Sequence, residues 1–186
     1  SVSDTNTYTS TGSGTNDRML IGRAWLGTNL TNDGRWTGYI KDFRVVKGTA
    51  VYTSNFAPPT APLTPVTNTV LLTCNTPYVK GSQRAAAGVG FDIDHDNISK
   101  VTVQAFSPYK VQKQWNATTH GGSVGRRAQL KVNNHADFAF GTADFTIELW
   151  YIRMASSGGT TRRLYDNRGS SKTGISIMED SSRKIK

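Results

Sequence analysis

"GYIKDFRVVKGTAVYTSNFAPPTAPL", residues 38–63, decides how this chain folds. Ile40, Phe43 and Val45 are its apolar anchors, at steps of three and then two. A strand sends successive side chains to opposite faces, so this spacing breaks strict alternation at Lys41 and Asp42. A β-bulge there restores the register, and predicts Asp42 and Arg44 on the outward side. Lys47-Gly48-Thr49 then predicts a turn, and "AVYTSNF" (50–56) a short returning strand. Pro58-Pro59 stops that ladder, because proline has no N–H to donate. Pro62 and Pro65 hold the exit extended, as a stiff strap.

Working outward, short apolar runs recur between turn-rich segments. "RMLIGRAWLG" (18–27) reads as a strand and "TNLTNDGR" as a turn. "TVLLTC" (69–74), "KVTVQAF" (100–106) and "AQLKV" (128–132) follow as strands. Phe145, Ile147 and Leu149 alternate with Thr146, Glu148 and Trp150, the cleanest two-residue period in the chain. "RLYD" (163–166) and "GISIM" (174–178) are shorter strands. No window carries helical periodicity. Many short strands separated by turn signals predict an all-β, antiparallel sandwich.

Composition narrows the function classes. Of the 186 residues only Cys74 is a cysteine, which excludes an internal disulfide framework. Its place in "VLLTC" predicts a buried, inert thiol. No run of 18 apolar residues occurs, so no helical membrane span is expected. The net charge of +9 is uneven. Residues 1–79 hold six Lys/Arg against four Asp/Glu, and residues 80–186 hold sixteen against nine. The cations are scattered, so nucleic acid is not an expected partner, and solubility and assembly steering explain them.

The candidate chemistry is sparse. Glu148 in "TIELW" has no second carboxylate two or four residues on, so the paired acids of a glycosidase are missing from that strand. "FDIDHDN" (91–97) places Asp92, Asp94 and Asp96 at alternate positions, as at the start of a calcium loop, and calcium is the one cofactor considered. Asn97 and Val103 stand where such a loop needs glycine and glutamate. His95, His120 and His135 lack zinc spacing. Among the aromatics, Trp36 and Trp115 follow polar stretches and are the expected exposed platforms for a glycan. Most other aromatics, Trp25 and Trp150 included, are expected in the core.

The segment 38–63 resembles the closing part of a laminin-G-like, concanavalin-A-type jelly-roll repeat of tailed-phage structural proteins. Lys47-Gly48-Thr49-Ala50, Tyr52-Thr53-Ser54-Asn55-Phe56 and Pro58-Pro59-Thr60 carry the likeness. Leu71-Leu72 and "DFAFGTADFTIELW" (137–150) resemble the opening of such a repeat. The resemblance implies that residues 1–63 close one repeat, 64–68 form a proline-rich strap and 69–186 open the next. The middle strands of a complete repeat have no counterpart here. The expectation is therefore a slice of a longer tandem chain, or a permuted sandwich in which the two segments close on each other. The resemblance further implies a non-enzymatic virion module in a fibre, tail-associated or capsid-surface protein. Its partners would be other virion proteins and copies of itself. The alternative is a carbohydrate-binding adhesin for host-surface glycans.

Overall fold

The computed structural model describes residues 18–23, 34, 36–75, 93–96, 101–104, 108–109, 117–120, 129–133, 135–154, 162–168 and 174–186. These residues are almost all β. The strands are β1 (Arg18–Ile21), β2 (Gly38–Lys47), β3 (Thr69–Thr73), β4 (Ile93–Asp96), β5 (Val101–Gln104), β6 (Ala117–His120), β7 (Gln129–Asn133), β8 (Phe145–Arg153), β9 (Arg162–Asp166) and β10 (Ser176–Glu179). Among the described residues a 3-10 turn covers Ala136–Phe138. One sheet runs β10-β9-β1-β7-β4; the other runs β3-β2-β6-β5, with β8 on the second edge of β2. Every pairing is antiparallel.

The ten-residue β2 organises its sheet. β8 follows one edge, while β6 pairs with residues 38–40 and β3 with residues 43–46 on the other. The two sheets share one core, in which Ile40, Phe43, Val45 and Leu71 meet Met19, Ile21, Leu130, Val132, Leu164 and Tyr165. Phe43 and Tyr165 touch across the sheets with ring centroids 5.5 Å apart. Segments 1–63 and 69–186 therefore interleave: β1 lies between β7 and β9, and β2 between strands of the later segment. Separate half-sheets would leave both apolar faces in water.

The bulge lies where the spacing placed it. On β2, Lys41 pairs with Trp150 and Arg44 with Glu148, so Asp42 and Phe43 together oppose Leu149. Asp42 takes φ +50°, and its N–H donates to the Cys74 carbonyl at 3.1 Å. Ile40, Phe43 and Val45 consequently all reach the core. The outward placement of Asp42 and Arg44 is corrected, because their side of the sheet is also covered. Asp42 and Lys41 are fully buried and Arg44 nearly so. The Tyr109 hydroxyl donates to Asp42 Oδ2. Lys41 Nζ lies 3.6 Å from Asp42 Oδ1 and 5.8 Å from the centre of the Tyr109 ring.

Burial pushes the Asp42 carboxyl above its ordinary value, against the opposing pull of the Tyr109 hydroxyl and the Lys41 charge. The folded chain thus keeps a proton on Asp42 over a range in which the unfolded chain has released it. Folding stability from this group is full below about pH 3.9 and declines as pH rises through the raised value. Asp42→Asn removes the titration. The stability of the parent relative to this variant is expected to fall as pH rises from 3 toward neutrality, measured by urea unfolding at each pH; a rising difference refutes the assignment.

Residues 50–56 form no strand, which corrects the expected hairpin. Both edges of β2 are already occupied, so a returning segment finds no ladder there. Gly48, at φ +81°, turns the chain over the outer side of β8 instead. Val51 N–H donates to Thr146 Oγ1 at 2.9 Å. Two strands escaped the sequence reading, β4 in "FDIDHDN" and β6 in "NATTH". Cys74 is buried, as its apolar run implied.

Candidate functional site

Outward residues of β8 hold the proline strap. Glu148 accepts from Arg44 Nε at 2.5 Å and from the Tyr52 hydroxyl at 2.8 Å, and Arg44 Nη1 donates to the Thr64 carbonyl at 2.6 Å. Arg44 and Glu148 face each other because the bulge brings them into register on adjacent strands. Burial and the Glu148 carboxylate raise the Tyr52 hydroxyl above its usual pKa, so it stays a donor. The chain after β2 is thus tied down at Tyr52 by Glu148 and at Thr64 by Arg44.

Past this tie a groove of about 550 Å³ opens between β8 and β10. Ile147 and Leu149 line it from β8, Ile177 from β10 and Ile175 from just before it, and Tyr52, Phe56, Pro58 and Pro59 from the segment that follows β2. Tyr52 and Phe56 stack with centroids 3.9 Å apart, and Phe56 is 56% exposed. The walls are mainly apolar, where β8 and β10 bound the groove.

The buried carboxylates described elsewhere are engaged by arginines. Glu179 meets Arg153 at 2.5 Å and Arg162 at 3.5 Å. Asp166 accepts from Arg168 Nε and Nη2 at 2.8 and 2.7 Å, and these hydrogen bonds, with its charge, raise the Arg168 pKa. Glu148 is likewise held by Arg44 and Tyr52. A carboxylate fixed in this way is a strut, with its lone pairs already directed at donors. Replacing Glu148 with glutamine is expected to lower stability by about 1.5–3 kcal/mol, the range for hydrogen bonds to a charged group, measured by chemical unfolding. No change in stability would show that the strap is held by other contacts.

The sequence-predicted sites are not brought together. Trp36, expected exposed, is corrected: it is fully buried in the core and packs edge-on to Tyr151 at 5.3 Å. Its backbone N–H donates to the Gly22 carbonyl at 2.9 Å, which holds residue 36 beside the end of β1 even though a polar turn precedes it. Trp115 and Asp92 lie outside the described residues. Asp94 and Asp96 are positions in the β4 ladder, paired with Lys131 and Gln129, and not in a loop. A calcium loop curls its backbone around the ion, whereas this backbone is extended along β7. Among the described residues no three His, Cys, Asp or Glu side chains gather as a metal site.

The sequence reading did not find the groove. Its signals were present: Phe56 and the prolines in the strap, and the apolar face of "FTIEL". What the sequence lacked was the pairing that sets β8 opposite β10. Compared with models of protein families, with curated proteins and with solved structures, the chain matches none.

Proposed function

We propose that this chain is a non-enzymatic structural and interaction module of a tailed-phage particle, a laminin-G-like, concanavalin-A-type jelly roll joined to neighbouring subunits. One observation carries the interaction reading: an apolar groove lies open between two edge strands, beside carboxylates that arginines hold in place. Exposed apolar surface of this kind, rimmed by charge, suits contact with another chain. The phage assignment and a place in the virion rest on the resemblance of residues 38–63 and 137–150. Other virion proteins and further copies of this chain are the proposed partners.

The test uses Phe56→Cys in the full chain, with Cys74 buried and slow to react. In the isolated protein the new thiol is expected to label rapidly with a maleimide. In particles containing the chain it should be protected, as an interface of well over ~1,000 Å² requires. Equal labelling in both, or absence of the chain from particles, overturns the proposal.

The exposed Tyr52–Phe56 stack favours one second reading, a carbohydrate-binding adhesin, because stacked aromatics also receive sugar faces. A glycan array decides it. Specific binding that disappears with Phe56→Ala supports the adhesin, and an empty array rejects it.

A further inference from the structure

Residues 48–68 leave the sheet and return to it. β2 and β3 are antiparallel neighbours, and Lys47 N–H donates to the Asn68 carbonyl at 3.1 Å, so the two ends of the excursion meet. Joining such neighbours takes about two to five residues. A connection longer than about 12–15 residues with no strand or helix of its own is usually either disordered or functional, and this one is tied in place. Val51 is held by Thr146, Tyr52 by Glu148 and Thr64 by Arg44, and Leu63 is buried. Between these ties, residues 53–58 are all exposed. The chain bends at Thr53 and Ser54, which brings Phe56 back onto the Tyr52 ring. Tyr52 covers one face of Phe56, and the rest of that ring meets water. Charge also sets this tip apart. Residues 48–68 contain no Asp, Glu, Lys, Arg or His, in a chain of net charge +9. The ionised groups at its foot, Arg44 and Glu148, are paired with each other. An acidic partner or a polyanion would be drawn to the cationic surface and not to an uncharged tip.

If the chain meets another protein through Phe56, as the preceding reading holds, the chemistry of that partner follows from these features. We propose that residues 53–58 are a charge-free contact tip, and that a partner protein meets it with an uncharged, apolar pocket that takes the Phe56 ring. Ala57 and Pro58 continue the apolar surface, and Thr53, Ser54 and Asn55 set hydrogen-bonding groups at its margin, the core-and-rim arrangement of a protein interface. A neutral sugar would cover the ring face and leave Ala57 and Pro58 in water. The tip is held by its ties before the partner arrives, so little ordering cost opposes the contact. A contact of this kind carries no charge on this side, and salt therefore does little to it.

The test compares particles assembled with the parent chain and with full-length variants, the copies retained being counted by quantitative mass spectrometry. Phe56→Asp would bury a carboxylate in the pocket and is expected to lower the copies retained by at least about tenfold. Phe56→Leu, apolar and uncharged, should be retained. Thr142→Asp adds the same charge at an exposed position outside the tip and should be retained like the parent. Washing parent particles in about 1 M salt, where the screening length is about 3 Å, should leave the chain bound. Should Phe56→Asp fail to fold, Asn55→Asp places a carboxylate at the next residue, also exposed, with the same expectation. Retention of the aspartate variants at the parent level, equal loss of Thr142→Asp, or release by salt overturns the charge-free tip. Loss of Phe56→Leu together with Phe56→Asp also overturns it, and marks an aromatic stacking site in place of an apolar pocket. Where the tip fails but Phe56→Cys is still protected in particles, the interface reading stands with a partner of other chemistry. Where that thiol labels equally in particles and in the isolated protein, both readings fall.

Discussion

Replacing Asp42 with alanine is expected to lower the unfolding free energy by about 3–5 kcal/mol, measured by guanidinium unfolding at neutral pH. Three losses coincide at one atom group. Lys41, fully buried, loses the carboxylate 3.6 Å from its ammonium. The Tyr109 hydroxyl loses its acceptor inside the protein. The backbone at φ +50° also keeps a Cβ while losing the polar side chain that best tolerates that conformation. Lys41 Nζ and Asp42 Oδ1 lie 3.6 Å apart, beyond hydrogen-bond range, and neither makes a geometrically good hydrogen bond among the described residues, so the ion pair repays its desolvation only in part. The double change Lys41→Met with Asp42→Asn should therefore recover most of the loss. If the double variant is as unstable as the sum of the singles, the pair is not the source of the effect.

Gly38→Ala is the second large effect, expected to exceed about 4 kcal/mol and to be seen as loss of cooperative unfolding or of soluble protein. Gly38 begins β2 at φ +153°, paired with His120 on one side and Arg153 on the other. A Cβ there would sit 2.0 Å from the Ile152 carbonyl oxygen and 2.9 Å from the Arg153 Cα. Both are backbone atoms held in a ladder, so neither can yield as a flexible side chain would. Gly48→Ala is the control. It shares positive φ, at +81°, but a Cβ meets nothing within 4 Å. It should cost only about 1 kcal/mol from backbone strain. A similar loss in both variants would place the effect in φ alone and refute the steric argument.

Legibility followed period and punctuation. Phe145–Leu149 alternate without interruption, and β8 formed there. The uneven spacing of Ile40, Phe43 and Val45 announced the bulge, because only an extra residue lets all three share a face. β4 and β6 were missed because "IDHD" and "ATTH" carry no apolar alternation. They are strands through pairing with β7, and with β2 and β5, a contribution from neighbours that local propensity does not contain. Trp36 was misplaced for a related reason. The polarity of the residues before it says nothing about a strand 15 positions earlier whose adjoining Gly22 carbonyl receives its backbone N–H.

By itself the sequence determined an all-β chain, the bulge at Lys41–Asp42, a proline strap and a buried Cys74, since each is set by residues within a few positions of one another. Tertiary structure alone decided that segments 1–63 and 69–186 share both sheets, that Arg44 and Asp42 are covered, and that β8 faces β10 across a groove. Those features join positions from about 20 to nearly 150 residues apart, and the free energy that selects among such pairings comes from burying the faces of two sheets together.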